Sequence, residues 1–164
     1  MFDFKAGQFA FITIDAPGFK EAHPFTISSA PQDSELRFTM KVLGDYTRRV
    51  RDELTAGHKV EIDGPYGRFD PLGTGKHQVW IGGGVGVTPF LSAIRAMKPN
   101  HGQTVHMFYC VRELSEALFL DEIKDKAKAA GNVTVTVLES NNGNFITADL
   151  VEETVTTSLA DYQY

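Results

Sequence analysis

The hydrophobic pattern of this chain changes period near residue 72, and that change limits the folds open to it. In Glu35-Leu36-Arg37-Phe38-Thr39-Met40-Lys41-Val42 every even position is apolar and every odd one polar. A period of two gathers the apolar side chains on one face of an extended segment, so these residues predict a half-buried antiparallel strand. Residues 58–63 repeat the alternation, residues 8–14 are more apolar throughout, and residues 24–29 read as a short fourth strand. Turns rich in Pro and Gly join them, at Ala16-Pro17-Gly18, Pro31-Gln32-Asp33 and Gly64-Pro65-Tyr66-Gly67. Such strands predict an antiparallel barrel or sandwich.

After residue 76 strands and helices alternate instead. Residues 78–81 and 105–111 are apolar strands, and residues 133–138 alternate Val with Thr as an edge strand would. Residues 88–98 predict a helix with Phe90, Leu91, Ile94 and Met97 on one side. Residues 115–130 predict a second, with Phe119, Ile123, Ala127 and Ala130 inward and Gly131 as its C-cap. Residues 148–153 form a last short helix. This order implies a parallel sheet with right-handed crossovers. The chain is therefore expected to hold two units, 1–71 of β class and 72–164 of α/β class, with Asp70-Pro71-Leu72-Gly73-Thr74-Gly75-Lys76 as linker.

Composition removes several function classes. A net charge of −5 over 164 residues argues against bulk nucleic-acid binding. The single cysteine, Cys110, excludes a disulfide framework and cannot alone hold an iron–sulfur cluster or structural zinc, so no metal site is expected. No stretch nears the roughly 18 consecutive apolar residues of a membrane helix, and no signal peptide is visible at the start.

Gly82-Gly83-Gly84-Val85-Gly86-Val87-Thr88-Pro89 lies between a predicted strand and a predicted helix. Glycines there let backbone N–H groups approach an anion, and the helix N-terminus adds a positive dipole end. Thr88 is placed to cap the helix and Pro89 to occupy its first turn. A nucleotide phosphate site is expected; the alternative is a tight turn packing helix on strand. Arg112, the first charge after the second parallel strand, suits a ribose 2′-phosphate, unless it pairs with Glu113 or Glu116 at the surface. Gly73-Thr74-Gly75-Lys76-His77 imitates a P-loop, but it precedes a strand and lacks the Ser or Thr after the lysine.

Gly44-Asp45-Tyr46-Thr47-Arg48-Arg49-Val50-Arg51-Asp52-Glu53-Leu54 predicts a short helix entered from a glycine loop, with Val50 and Leu54 as its buried stripe. Three arginines crowd its first half and two acids its end, against the macrodipole. An anion bound by Thr47 and the free amides would relieve that penalty.

Taken together, these segments resemble the ferredoxin–NADP⁺ reductase superfamily, and within it the dehydrogenase domain of bacterial ferric reductases and NADPH oxidases. The likeness rests on Gly7-Gln8-Phe9, on His23-Pro24-Phe25-Thr26-Ile27-Ser28-Ser29-Ala30-Pro31, and on Lys41 followed by Gly44-Asp45-Tyr46-Thr47. Gly64-Pro65-Tyr66-Gly67, the glycine loop, and Tyr109 with Arg112 complete it in the family's order. It implies a partial antiparallel β-barrel that binds FAD, then a truncated Rossmann-like parallel α/β domain that binds NADPH or NADH. His23, Pro24, Phe25, Thr26, Lys41, Gly44, Tyr46 and Thr47 would contact FAD. Gly82, Gly83, Gly84, Gly86, Thr88, Pro89 and Arg112 would hold NAD(P)H. Phe25 would pack on the isoalloxazine, and Thr26, the one catalytic candidate, would lie near its N5.

The implied chemistry is hydride transfer from nicotinamide to flavin, then single electrons to haem or ferric iron. His-Pro-Phe-Thr, where many relatives carry an arginine, is the form of the ferric-reductase and oxidase branch. The parent would then be membrane-attached, with this portion on the cytoplasmic side. The alternatives are a soluble reductase serving a ferredoxin, flavodoxin or oxygenase, and a non-catalytic redox-sensing nucleotide module. Against the family pattern, two N-terminal barrel strands, the parallel strand after residue 160 and its Cys-Gly-Pro motif are missing. Weak FAD retention and little turnover are expected of this segment alone.

Overall fold

The computed structural model describes residues 2–73, 75–155 and the backbone of 162–163. In the first half β1 (Phe9–Ile14), β2 (His23–Thr26) and β3 (Val60–Tyr66) form an antiparallel sheet in the order β2-β1-β3. β1 is central, and its period-two pattern buries Ala10, Ile12 and Ile14. Helix α1 (Asp45–Glu53) lays Tyr46 and Val50, with Leu54 beyond its end, against Ile12, Ile14 and Phe19. The sheet stays open among the described residues, as a partial barrel.

Residues 35–42 are not a strand, which corrects the expectation from their alternation. They touch the sheet through one bridge, Ile27 to Phe38. Hydroxyl groups take the place of a ladder here. Ser28 donates to the Arg37 carbonyl from both N (2.8 Å) and Oγ (3.0 Å), while Ser29 Oγ accepts from Arg37 N at 3.1 Å. These hydroxyls use the Arg37 carbonyl and N–H that a strand ladder would otherwise pair. The alternation survives as packing, because Leu36, Phe38 and Met40 all reach the core.

In the second half β4 (His77–Gly83), β5 (Thr104–Val111), β6 (Val133–Glu139) and β7 (Tyr162–Gln163) are all parallel, in the order β6-β5-β4-β7. Helices α2 (Thr88–Ala96) and α3 (Leu120–Ala130) cover one face and α4 (Ala148–Thr154) the other. β5 is buried on both faces, with Val105, Met107 and Tyr109 toward α2 and α3 and Phe108 toward α4. Leu91, Ile94 and Ile123 are at most 1% exposed, so truncating any of them to Ala costs about 3 kcal/mol.

Two further expectations are corrected. The second helix begins at Leu120, not 115: a 3₁₀ turn at Leu114–Glu116 is followed by Phe119 at φ 59°, which no regular helix passes through. Phe119 is consequently 39% exposed, with the Arg95 guanidinium 5.2 Å from its ring, rather than inward. The start of a fourth parallel strand is also present, since Tyr162 and Gln163 pair with His77 and Gln78.

The halves are fastened through α2. Arg95 binds Glu122 through Nε (2.6 Å) and Nη2 (2.7 Å) and donates from Nη1 to the Ser28 carbonyl at 2.6 Å. Ser92 Oγ donates to the Ser29 carbonyl at 2.6 Å, and Gln32 Nε2 to the Arg95 carbonyl at 3.1 Å. The segment after β2 is thereby held on the nucleotide half. Among the described residues no helix is long and apolar enough to cross a membrane.

Candidate functional site

A cavity of about 510 Å³ opens where the two halves meet. Its walls are His23, Pro24, Phe25 and Thr26 of β2, residues 39–41 and 43–47 at the entry to α1, and Val85, Gly86, Thr88 and Pro89 from the other half. The period of two places His23 and Phe25 on one face of β2 and Pro24 and Thr26 on the other. The His23 ring stacks on Tyr46 at 3.6 Å between centroids, and Tyr46 meets the edge of Phe19 at 5.9 Å. Phe25 leans on the cluster of Ile12, Ile14 and Phe19, so it serves core and cavity together.

Two buried polar atoms of this wall, His23 Nε2 and Tyr46 Oη, have no hydrogen-bond partner within the protein. Glu21 Oε2, at 3.5 Å from His23 Nε2, is too distant for a well-formed bond. Burial pushes the Tyr46 phenol above its ordinary pKa, and the nearby Glu21 carboxylate adds to the shift. Buried polar groups are normally paired. An orphaned donor and ring nitrogen beside a cavity fit a polar ligand such as the flavin nucleotide.

The helix charges differ from expectation. Arg48 pairs with Asp45 (2.9 Å), Arg49 with Glu53 (2.8 Å) and Arg51 with Asp52 (2.6 Å), so none of the three waits for an anion. The Thr47 hydroxyl is committed as well. It accepts from Leu43 N and Gly44 N and donates to the Gly44 carbonyl. That leaves the first-turn amides, which have no carbonyl four residues back, to meet an anion at this end of α1.

A second cavity, of about 890 Å³, adjoins the first along Met40, Lys41, Leu43 and Val85. Gly83, Gly84, Cys110, Val111, Arg112 and Glu116 line it, and Leu138, Ser140, Asn144, Phe145 and Ile146 close the far side. Gly84 stands at φ +50°, and a Cβ built there would lie 3.9 Å from Lys41 Nζ, so this lysine hangs over the glycine loop. Gly84–Val87 form a 3₁₀ turn that runs into α2. Thr88 is accordingly not the N-cap: it is already helical and its hydroxyl donates to the Val85 carbonyl at 3.0 Å. Gly82 lines neither cavity. It is buried, and a Cβ there would meet Val87 Cα at 3.2 Å and Phe90 Cδ2 at 3.3 Å, which makes it a close-packing glycine.

Arg112 and Lys41 both reach Glu116, Arg112 Nη2 to Oε1 at 3.0 Å and Lys41 Nζ to Oε2 at 3.4 Å. Burial pushes the Cys110 thiol above its ordinary pKa. A third cavity, of about 880 Å³ along the outer side of β4, is lined by Trp80, Ile81, Phe90 and Val151 among others and contains none of the expected site residues.

Comparison with known proteins accounts for both halves. Residues 1–70 match the model of an FAD-binding domain, and residues 80–163 match that of an oxidoreductase NAD-binding domain. The chain belongs to the ferredoxin–NADP⁺ reductase family. Among its family relatives, the reductase component of propane 2-monooxygenase from Mycolicibacterium goodii is 32% identical over 96% of this chain and 47% of that protein. Human dual oxidase 2 is 36% identical over 57% of this chain and 7% of its own length. NADPH oxidase 1 of Mus musculus is 32% identical over 58% and 17%. The chain thus spans about half the length of the monooxygenase component and a small part of the oxidases. A ferredoxin–NADP⁺ reductase from Plasmodium falciparum shares the fold at TM-score 0.77 and 17% identity, over 98% of this chain and 72% of that one. The FAD/NAD-binding domain of a Vibrio cholerae nitric oxide dioxygenase does so at 0.77 and 18%, over 99% and 73%.

All eight residues expected to meet FAD line the first cavity, together with Gly86, Thr88 and Pro89 from the nucleotide set. Gly83, Gly84 and Arg112 line the second. Sequence reasoning missed Thr39 and Met40, which a predicted strand had absorbed, and Leu43 and Phe145, which carry no motif. Glu116 entered only as a surface partner of Arg112.

Proposed function

We propose that this chain is the cofactor-holding part of an NAD(P)H-dependent flavin reductase, with FAD in the 510 Å³ cavity and the dinucleotide along the glycine loop. One observation carries this: residues chosen for two different nucleotides, and contributed by both halves, line two cavities that share Lys41 as a wall. His23, Phe25 and Tyr46 form an aromatic and imidazole surface for a flat ring system. The first-turn amides of α1 and the 3₁₀ turn at Gly84–Val87 offer donors to two sets of phosphates. Thr26 and Pro89, from opposite halves, both line this cavity. Bound FAD would supply the chemistry of accepting a hydride from the nicotinamide and releasing electrons singly. Arg95 and Ser92 would keep β2 and α2 at fixed separation during that exchange.

The acceptor we favour is haem or ferric iron, because His23-Pro24-Phe25-Thr26 is the form of the oxidase branch. The whole protein would then be attached to a membrane with this chain on its cytoplasmic side. A partner oxygenase is the second acceptor, favoured by the monooxygenase reductase that matches over 96% of the chain. The test is to load the chain with FAD, mix it anaerobically with NADPH, and then add ferric chelate, haem protein or an oxygenase in separate reactions. Saturable but weak FAD binding, with slow bleaching of the flavin band by NADPH, is expected. Failure to bind FAD at any concentration would overturn the proposal. Electron flow to the oxygenase alone would select the second acceptor.

A further inference from the structure

We infer that Glu116 sets the choice between the phosphorylated and unphosphorylated nicotinamide dinucleotide, by acting as a resident anion that an incoming 2′-phosphate must displace. This rests on the proposal that the glycine-loop cavity holds NAD(P)H. The two cations facing that cavity from opposite halves are Lys41 and Arg112, and each is bound to a different oxygen of the one Glu116 carboxylate. Lys41 lies over Gly84, where the dinucleotide's pyrophosphate would meet the loop amides. Arg112 follows β5, where the adenosine ribose would lie.

The two groups of ligands place different demands on this triad. A dinucleotide with a free 2′-hydroxyl leaves Arg112 on Glu116, and the carboxylate can accept that hydroxyl. A 2′-phosphate needs the guanidinium for itself and meets a fixed negative charge beside it. Lys41 and Arg112 are 44% and 70% exposed in these pairs, so each pair is weak and exchangeable. Glu116 therefore leaves 2′-phosphate binding possible while holding it down relative to the unphosphorylated form.

Calorimetric titration of the whole chain with 2′-phospho-AMP and with AMP tests this, using wild type, Glu116→Gln and Arg112→Gln. Glu116→Gln is expected to raise the affinity ratio of 2′-phospho-AMP over AMP about threefold to fivefold, and Arg112→Gln to lower it. The gain should shrink as salt is raised, which a change of packing would not do. An unchanged ratio in Glu116→Gln, with Arg112→Gln still lowering it, would overturn the role of Glu116 and leave the nucleotide site standing. Binding of neither nucleotide to any of the three proteins would overturn the site and the inference together.

Discussion

Two charged side chains, Arg95 and Lys41, reach across the junction of the halves, and water separates their roles. The Arg95 side chain is 8% exposed and divides its fork between Glu122 and the Ser28 carbonyl. Lys41 is 44% exposed and meets Glu116 by a single 3.4 Å contact. In the first, the carbonyl of the buried Ser28 has no ready solvent replacement for a lost donor, so the contact fixes geometry. In the second, water and ligand phosphates compete freely, so the contact is suited to exchange. The same two residue classes thus build scaffold on one side of the domain junction and an exchangeable contact on the other.

The comparison breaks most readily at Arg95. Arg95→Met is expected to destabilise the chain by about 2 kcal/mol, chiefly because the buried Ser28 carbonyl loses its donor while the part-exposed Glu122 is met by water. Lys41→Met should stay within about 0.5 kcal/mol, and urea midpoints of the two variants measure the contrast. Equal losses would remove the distinction.

Acid sharpens it. The Arg95 guanidinium holds the Glu122 carboxyl below its ordinary pKa, with Lys126 and Arg37 adding to the effect. A carboxyl depressed in the fold stabilises above its unfolded pKa, and that stability is lost as pH falls through the lower folded value. Stability should therefore decline below the ordinary carboxylate range, and Glu122→Gln should flatten the decline. Melting temperatures at stepped pH decide it.

Smaller effects are expected at the cavities themselves. Tyr46→Phe removes a buried hydroxyl that has no partner, so stability should hold or rise by about 0.5 kcal/mol while FAD binding weakens severalfold. Calorimetry and thermal melts together show whether the two move in opposite directions. Cys110, with its thiol pushed up by burial, should alkylate more slowly than free cysteine, and more slowly still with NADP⁺ present. A maleimide time course with and without the nucleotide measures both.

The parallel half was more legible than the antiparallel half, for a physical reason. β4, β5 and α2 are continuous apolar elements whose period alone assigns them, and the glycine loop between them follows from its setting. In the other half, Leu36, Phe38 and Met40 alternate as a strand would, yet Ser28 and Ser29 take the backbone bonds of Arg37 between them. Periodicity reports which side chains face inward and is silent on which donors satisfy the backbone. The start of α3 was hidden because a left-handed Phe119 has no signature in the residue itself. The cavity walls were readable where a motif carried them, at His23–Thr26 and Gly83–Pro89. They were not readable at Glu116, whose importance depends on Lys41 arriving from 75 positions away.

The central claim is that one flavin cavity is walled by both halves, and Gly86 tests it most directly. This residue belongs to the nucleotide loop, lines the cavity with His23 and Tyr46, and has nothing within 4 Å of an added Cβ. Gly86→Val should therefore melt as wild type does while FAD affinity, followed by flavin fluorescence, falls about tenfold or more. Wild-type FAD affinity in a normally folded Gly86→Val protein would contradict the shared cavity.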